Sequence, residues 1–579
     1  HRLVACELLG AILSQTWLEQ HDDDLTKQNE YEEKSGLDTP IDDKENPEKN
    51  YSRLPQVLWS ALQGRLMDKI AAVRASAANS LEAVMIGIQK GSNKNWYDLR
   101  FFQNDDGKCL LMALRKRAIK DETATVRKAS ILALTKVLLV RKDSISEYYI
   151  KAICELCQDS SLLTRRAASE ALTVLLEDCT SNKEQVDGFA VGEQQYDVGL
   201  IVEAWSSCVL PMILDEETAV KARSAFLQVV VLPIVENNHL DGGQKQEVSW
   251  RILAHVGNQA GHHGASKSAV LALRTALNHL GRENSDLIHV DLLRRAAILS
   301  SQTLCNCDIS DVTVVGVWCL LEALLNETIK THPSATIDLS FCTSAWEIML
   351  DRYSTMPKSL GLKSTLRSSL VVLSKVASRI SSNSQECEIK LHQKLLSYNF
   401  PPDSIGPALS AMTELSGSRS SEKWIQSIFS ESEKEISVYV QDEARVPSFF
   451  GQTQPKILRA LFSVGEVSMI GFKLDDDEKT SPLPLYLKPS KQLRELIQIL
   501  VSGHLPGGSQ TEIPQSVRAH AFTVLGKFCL RDESLARESL IILAQELHPS
   551  TSNQSQSVQS NALLVMGDLC VRYTNMTDR

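Results

Sequence analysis

The stretch QSVRAHAFTVLGKFCL, Gln515–Leu530, reads as a helix with one close-packed face. Counting from Val517, the residues at +4, +7, +8 and +11 are Ala521, Val524, Leu525 and Phe528. Those offsets put five small or apolar side chains on one side of an α-helix. The count restarts at Ala536, with Leu540, Leu543, Ala544 and Leu547, and again at Val558, with Ala562, Val565, Met566 and Leu569. Three amphipathic helices joined by short polar links cannot each bury such a face alone, so they must stack.

Working back towards the N-terminus, the same offsets recur. Val73 leads Ala77, Ser80, Leu81 and Val84; Val126 leads Ser130, Ala133, Leu134 and Val137; Thr164 leads Ala168, Ala171, Leu172 and Leu175. Val220 leads Ser224, Leu227, Gln228 and Val231 with one polar lapse, and Thr313 leads Val317, Leu320, Leu321 and Leu324. Amphipathic partner helices precede many of these, at 54–66, 110–118, 150–157, 202–214 and 493–501. Interruptions fall at 181–198, 238–246, 260–266, 381–385 and 474–490, where Pro, Gly and charge accumulate.

A second regularity lies outside the apolar stripe. Five residues before the starting positions stand Asp68, Asp121, Asp159, Asp215, Asp308, Glu512 and Asn553. One residue after them stand Arg74, Arg127, Arg165, Lys221, Val314, Arg518 and Gln559. An acid ahead of a helix accepts hydrogen bonds from free amides at its start, and the arginine can reach the acid of the next unit. A ladder of ion pairs along the stack is the expectation.

Composition agrees with stacked helices. Hydrophobic residues make up 43% of the 579 and aromatics only 6%, with the balance in Leu, Ala, Val and Ser rather than the β-formers. The longest apolar run, near Leu227–Val235, is short and broken by Pro233, so no membrane span is expected. Thirteen cysteines sit mostly inside helical patterns, the usage of the reducing cytosol or nucleus. The chain opens on a His and reads as a piece of a longer protein. The formal charge of −10 is uneven: residues 19–50 carry a net of −8, residues 51–180 a net of +6 and residues 181–579 a net of −8.

The Asp…Val-Arg…Ala…Leu pattern is that of HEAT repeats. The segments SVRAHAFTVLGKFCL (Ser516–Leu530), SLARESL (Ser534–Leu540) and VQSNALLVMGDLCVRYT (Val558–Thr574) resemble the D-type HEAT subunit of condensin, most closely that of condensin II. The close resemblance covers roughly residues 512–579; Gln559 departs from it where Arg is usual. It implies an all-α HEAT-repeat (ARM-type) α-solenoid, right-handed and curved. The implied organisation is a HEAT helix at 1–18, an acidic disordered insert at 19–50, a HEAT array at 51–330, irregular helical repeats at 331–490, and at 491–579 the opening of the C-terminal region typical of D-type subunits. The resemblance further implies a non-enzymatic scaffold that binds a kleisin and SMC ATPase heads, meets double-stranded DNA or chromatin through the complex, and works in the nucleus and on mitotic chromosomes. A nuclear transport receptor or vesicle-coat scaffold is the alternative of similar architecture.

The residues themselves offer little chemistry. No Gly-rich phosphate loop, His-Glu-x-x-His, nucleophile elbow or kinase signature is present. No catalytic residue, metal ligand, cofactor or small-molecule substrate is expected. Cys154 and Cys157 form a CxxC and Cys305 lies near Cys307, but neither has the second ligand pair that a zinc site needs. Core packing is the reading for Cys154 and Cys157, and a turn for His262 and His263. The densest basic cluster is Arg115, Lys116, Arg117, Lys120, Arg127 and Lys128; inter-helix turns of a solenoid share an edge, which would align its first four with Arg141, Lys142, Arg165 and Arg166. These two sets of four are the candidate contacts to duplex phosphate, sequence-blind and salt-sensitive.

Overall fold

The computed structural model describes residues 1–11, 54–90, 105–140, 142–181, 197–236, 243–259, 266–283, 285–305, 311–331, 337–357, 359–379, 384–441, 447–472, 485–504, 513–548 and 555–573. The acidic insert at 19–50, the second half of the helix expected at 2–18, His262, His263, Cys307 and Arg141 lie outside them. Helices make up nearly all of what is described, and no β-strand occurs among the described residues. The chain divides into two compact units, His1–Leu292 and Leu293–Arg579.

The first unit holds α1 (residues 2–11), α2 (Leu54–Arg65), α3 (Ala71–Lys90), α4 (Asp105–Lys120), α5 (Ala124–Val140), α6 (Glu147–Leu156), α7 (Leu162–Ser181) and α8 (Val198–Cys208). It continues through a 3-10 turn at Leu210–Leu214, α9 (Ala219–Phe226), a π-helical segment at Leu227–Val231, α10 (Leu232–Glu236), α11 (Gly243–Gln259) and α12 (Ser266–Glu283). Helices alternate between two rows. α3, α5 and α7 stack in one row, α4, α6 and α8 in the other, and each hairpin closes α4 on α5 and α6 on α7. The expected inward residues of α3, α5 and α7 are all buried, from Val73 to Leu175. Small residues at +4 (Ala77, Ser130, Ala168) let the row close up, since packed helix axes approach to within about 8–10 Å only where side chains allow it.

The Val220 copy is a correction. Val220 is 72% exposed, and Ser224 and Gln228 also face out. The buried set is instead Thr218, Ala222, Phe226 and Val229, two residues earlier. Two residues correspond to about 200° of helix rotation, enough to turn an inward side chain outward. The 3-10 entry and the π-helical exit of this hairpin change its phase.

The second unit runs from α13 (Ser285–Cys305, which crosses the division) through α14 (Asp311–Thr331), α15 (Cys342–Thr355), α16 (Leu360–Val376), α17 (Ser384–Leu396), α18 (Pro402–Gln441) and α19 (Pro447–Ser468). It ends with α20 (Lys491–Ser502), α21 (Gln515–Arg531), α22 (Glu533–Glu546) and α23 (Gln556–Arg572). One row passes through α14, α16, α18, α19, α21 and α23, flanked by α15, α17, α20 and α22. The stretch expected to be irregular thus contains orderly hairpins. α18 is two helices in one run, bent where Gly417 takes φ +61° with open space around it. In α21 all five template residues are buried; in α23 four are; but in α22 Ala544 is exposed and Leu540 and Leu547 only half covered. Gly526 of α21 meets Val565 of α23 so closely that a Cβ would sit 2.5 Å from its methyl, so the two backbones require glycine there.

Candidate functional site

The ladder is built in the first unit, and its geometry repeats. Arg74 directs Nη1 to the carbonyls of Asp68 and Lys69 (2.9 and 3.0 Å) and its Nε and Nη2 to the carboxylate of Asp121 (2.7 and 2.9 Å). Arg127 does the same one hairpin on, with Nη1 on the carbonyls of Asp121 and Glu122 (2.9 and 3.0 Å) and a fork on Asp159 (2.9 and 2.8 Å). Each Asp also accepts a backbone amide two residues ahead, Thr123 for Asp121 and Ser161 for Asp159. Asp121 is almost fully covered, and burial alone would raise its carboxyl; the bonds from Arg74 and the Thr123 amide outweigh that and hold it below the usual range. Asp159 is held low by the same balance, with Arg127 and the Ser161 amide as its donors.

The third rung changes form. Arg165 keeps the two carbonyls, Asp159 and Ser160 (3.1 and 3.3 Å), but its Nη2 meets Glu217 at 2.5 Å, with Asp215 at 3.5 Å. Lys221, the next residue in line, turns away to Glu170 at 3.7 Å. A lysine has no planar fork with which to bridge two carbonyls and a carboxylate at once. In the second unit Arg518 pairs with Glu546 (3.1 and 2.5 Å), the last residue of the intervening α22. That pair is nearly covered, whereas partly exposed contacts are the sequence-based expectation for Arg518.

The eight candidate phosphate contacts meet different fates. Arg115 lies over the Tyr148 ring, 3.8 Å from its centroid, and donates to the Tyr148 hydroxyl at 2.7 Å. Arg117 reaches Asp121 (3.5 Å) and the sulfur of Met67 (3.0 Å). Lys142 pairs with Asp178 at 2.8 Å, Arg165 is spent on its rung, and Arg166 donates to the Glu217 carbonyl while remaining exposed. Lys116 and Lys120 stand exposed on α4. The turns before α5 and α7 bring Arg117, Lys120, Arg165 and Arg166 to one edge. Lys142 is not among them: it follows the end of α5, about 25 Å from that helix's start at 1.5 Å per residue, and its partner Asp178 sits in the last turns of α7.

Sequence reasoning missed Tyr148, Glu217 and Glu546 as partners, because nothing in the repeat offsets marks them. It also missed a thiol. Cys154 is half-buried on α6 and Cys157, which caps that helix, is buried; Cys208, the last residue of α8, is half-buried on the helix that packs against α6. Among the described residues no group of His, Cys, Asp or Glu is arranged to hold a metal ion, and no helix is long and apolar enough to cross a membrane.

Comparison with known proteins accords with this architecture. The family model "Condensin-2 complex subunit D3-like. HEAT repeats" matches residues 454–547, which takes in Ser516–Leu530 and Ser534–Leu540 and begins in the stretch expected to be irregular. The chain is 24% identical over 82% of its length to condensin-2 complex subunit D3-L of Xenopus laevis, and 23% identical over 81% to condensin-2 complex subunit D3 of Mus musculus. It is 21% identical over 90% to the CAP-D3 member of the condensin-2 complex of Arabidopsis thaliana. The similarity therefore reaches well beyond residues 512–579. The chain spans only 30%, 29% and 42% of those relatives. Among solved structures, a C-terminal fragment of the Chaetomium thermophilum cohesin loader SCC2 superposes with a TM-score of 0.54 at 12% identity, covering 91% of this chain and 36% of that one; this is likeness of fold alone. The fold is that of a HEAT-repeat solenoid, and over about four-fifths of its length the chain is similar to D3-type HEAT-repeat subunits of condensin II.

Proposed function

We propose that the chain is a non-catalytic scaffold of a condensin II assembly, offering its helix rows to a kleisin and to SMC ATPase heads in mitotic chromosome condensation within the nucleus. The observation that carries this is the alignment with D3 subunits over four-fifths of the chain, on a fold whose ionisable groups pair with one another. We further propose the division of labour in which residues 491–579 open the conserved C-terminal region of such subunits. Affinity purification from mitotic cells with mass spectrometry tests the reading. Co-purifying SMC subunits and kleisin are the expected result; Ran with cargo, or coat proteins, would overturn it in favour of a transport or coat scaffold.

Direct contact with duplex DNA, where this chain makes it, falls within residues 51–180. Lys116, Lys120 and Arg166 support this as exposed cations near the rung edge, while Arg115, Arg117, Lys142 and Arg165 are engaged internally. Contact through lysine ammonium groups reads phosphate charge and not base sequence. Reversing Lys116, Lys120 and Arg166 to Glu is expected to weaken duplex binding at low salt and flatten its salt dependence by about one log–log unit per lost phosphate contact. Unchanged affinity refutes that contact and leaves the scaffold reading standing.

A further inference from the structure

The turns before α3, α5, α7 and α9 are built alike, and the last of them carries an acid that the others lack. In each, the carboxylate of Asp68, Asp121, Asp159 or Asp215 accepts the backbone amide two residues on, from Ile70, Thr123, Ser161 or Glu217 (3.0, 3.1, 2.8 and 3.2 Å). Those four residues therefore hold one structural position. At the last turn its side chain is anionic: Glu217 takes Nη2 of Arg165 at 2.5 Å, and its carbonyl takes Arg166 at 2.7 Å. At the turn before α7, Ser161 stands in the place of Glu217, with Arg127 and Lys128 in the places of Arg165 and Arg166. The Ser161 amide and Nη2 of Arg127 meet on one atom, Oδ1 of Asp159, each at 2.8 Å. Of the five N–H groups of the Arg127 guanidinium four are used, on the carbonyls of Asp121 and Glu122 and on both oxygens of Asp159. The fifth is on Nη2, the nitrogen that Arg165 turns to Glu217. Thr123 stands in the same relation to Arg74, but Ala75 follows where Lys128 follows Arg127. The turn lies at the surface, with Gln158 and Ser160 exposed and Ser161 half-buried.

We propose that Ser161 is a phosphorylation site, at which a protein kinase using ATP supplies the anion that the turn before α9 carries as Glu217. The serine oxygen attacks the γ-phosphorus; the O–P bond forms, the bond to the β-phosphate oxygen breaks, ADP departs, and the hydroxyl proton passes to the kinase's base. Phosphoserine and glutamate place their terminal oxygens the same number of bonds beyond Cβ. The phosphate therefore meets Nη2 of Arg127 as Glu217 meets that of Arg165, with Lys128 as the next residue in line. A phosphate monoester carries a charge of about −1.5 to −2 near neutral pH, and against an arginine it makes charge-assisted hydrogen bonds. Two effects follow. The joint between the turn before α7 and the start of α5 tightens, and the edge that holds Lys120 and Arg166 loses positive charge. The second effect rests on the reading of that edge as a duplex contact.

The test is phosphopeptide mapping of the protein isolated from interphase and from mitotic cells, read on the tryptic peptide Ala152–Arg165. Phosphate on Ser161 at either stage is the expected result; full coverage of the peptide without it at both stages would overturn the site. Ser161→Glu and Ser161→Gln, made in the full chain, separate charge from size. The first should raise the melting temperature by about 1–3 °C and the second should not. Thr123→Glu, with alanine after its arginine, should gain less. Equal melting of Ser161→Glu and Ser161→Gln would overturn Arg127 as the partner of the phosphate. At low salt Ser161→Glu should also bind duplex DNA more weakly than Ser161→Gln. Equal affinities would overturn the effect on the edge, while the mapping decides the site by itself.

Discussion

The two units use arginine on the same carbonyls but complete the bond differently. In the first, Arg74 and Arg127 each hold the carbonyls that follow one helix and then fork onto the Asp of the next hairpin. In the second, Arg352 holds Thr303 and Leu304, Arg459 holds Tyr398, and Arg531 holds Ile470, all carbonyls at or just past helix ends, while Arg518 departs from them by adding Glu546 to the Val501 carbonyl. A cation at a helix C-terminus answers both the free carbonyls and the dipole. The acid is therefore an addition to a joint that works without it. It makes the first unit's joints charge-coupled and titratable, and it leaves a mark in sequence, Asp six residues before Arg, which carbonyl capping does not.

Substitutions at one template position probe what the units share. Val126→Asp and Val517→Asp, one in each unit, are expected to cost about 2–4 kcal/mol apiece, as is Ala521→Trp, since they force a charge or excess bulk into a closed row. Val220→Asp, at the nominally equivalent place, should stay within about 0.5 kcal/mol because that side chain faces water. Urea melts of the variants decide this, and a large loss for Val220→Asp would restore the phase that the structure overturns.

The next effect is the acid's own contribution. Asp121→Ala leaves the Arg74 fork and the Thr123 amide without their partner in a nearly covered site, an expected loss of about 2–4 kcal/mol. Arg518→Ala strands Glu546 similarly and should cost about 1–3 kcal/mol. Arg352→Ala loses two charge-assisted bonds to carbonyls, about 1–2 kcal/mol. Equal losses for Asp121→Ala and Arg352→Ala would erase the distinction between the units' joints.

Acid should separate the joints without mutation. Asp121 and Asp159 have folded pKa values below their unfolded ones, so their contribution is present above the unfolded value, about 4, and is lost as pH falls through the folded values. The Arg459–Tyr398 carbonyl bond has no acid to protonate. Hydrogen exchange at decreasing pH should open the starts of α5 and α7 before the α17–α19 junction, and Asp121→Asn should flatten the response at α5. Lys221→Arg is the smallest test. Because the α9 hairpin is out of phase, the new fork should gain less than about 0.5 kcal/mol; a gain near that of a full rung would show that only the side chain, and not the phase, was missing.

Much of this was readable from residues alone. The period located α3, α5, α7, α14, α21 and α23, helped in all but α14 by a small +4 residue, because buried helix rows tolerate few exceptions. Asp68, Asp121 and Asp159 announced their turns, and Arg74 and Arg127 their reach. Gln228, the polar lapse in the Val220 copy, was the sign that its phase was off, since a π-helical segment has no counterpart in a fixed set of offsets. The candidate phosphate contacts were less legible. Charge density shows where cations are, but not that Arg115 stacks on Tyr148 or that Lys142 sits at the other end of α5. The place of Cys208 was invisible because α8 is set against α6 by packing across hairpins, at no fixed spacing.

Gly417 sets a dimension. An uninterrupted helix over Pro402–Gln441, 40 residues, would be a rod of about 60 Å, at least as long as any two of its neighbours laid end to end. Left-handed backbone at one exposed glycine folds that rod into two lengths that match the rows on either side. The breadth of the second unit at this level thus depends on a single residue without a side chain, and lengthening or shortening the array by whole repeats would leave that breadth untouched.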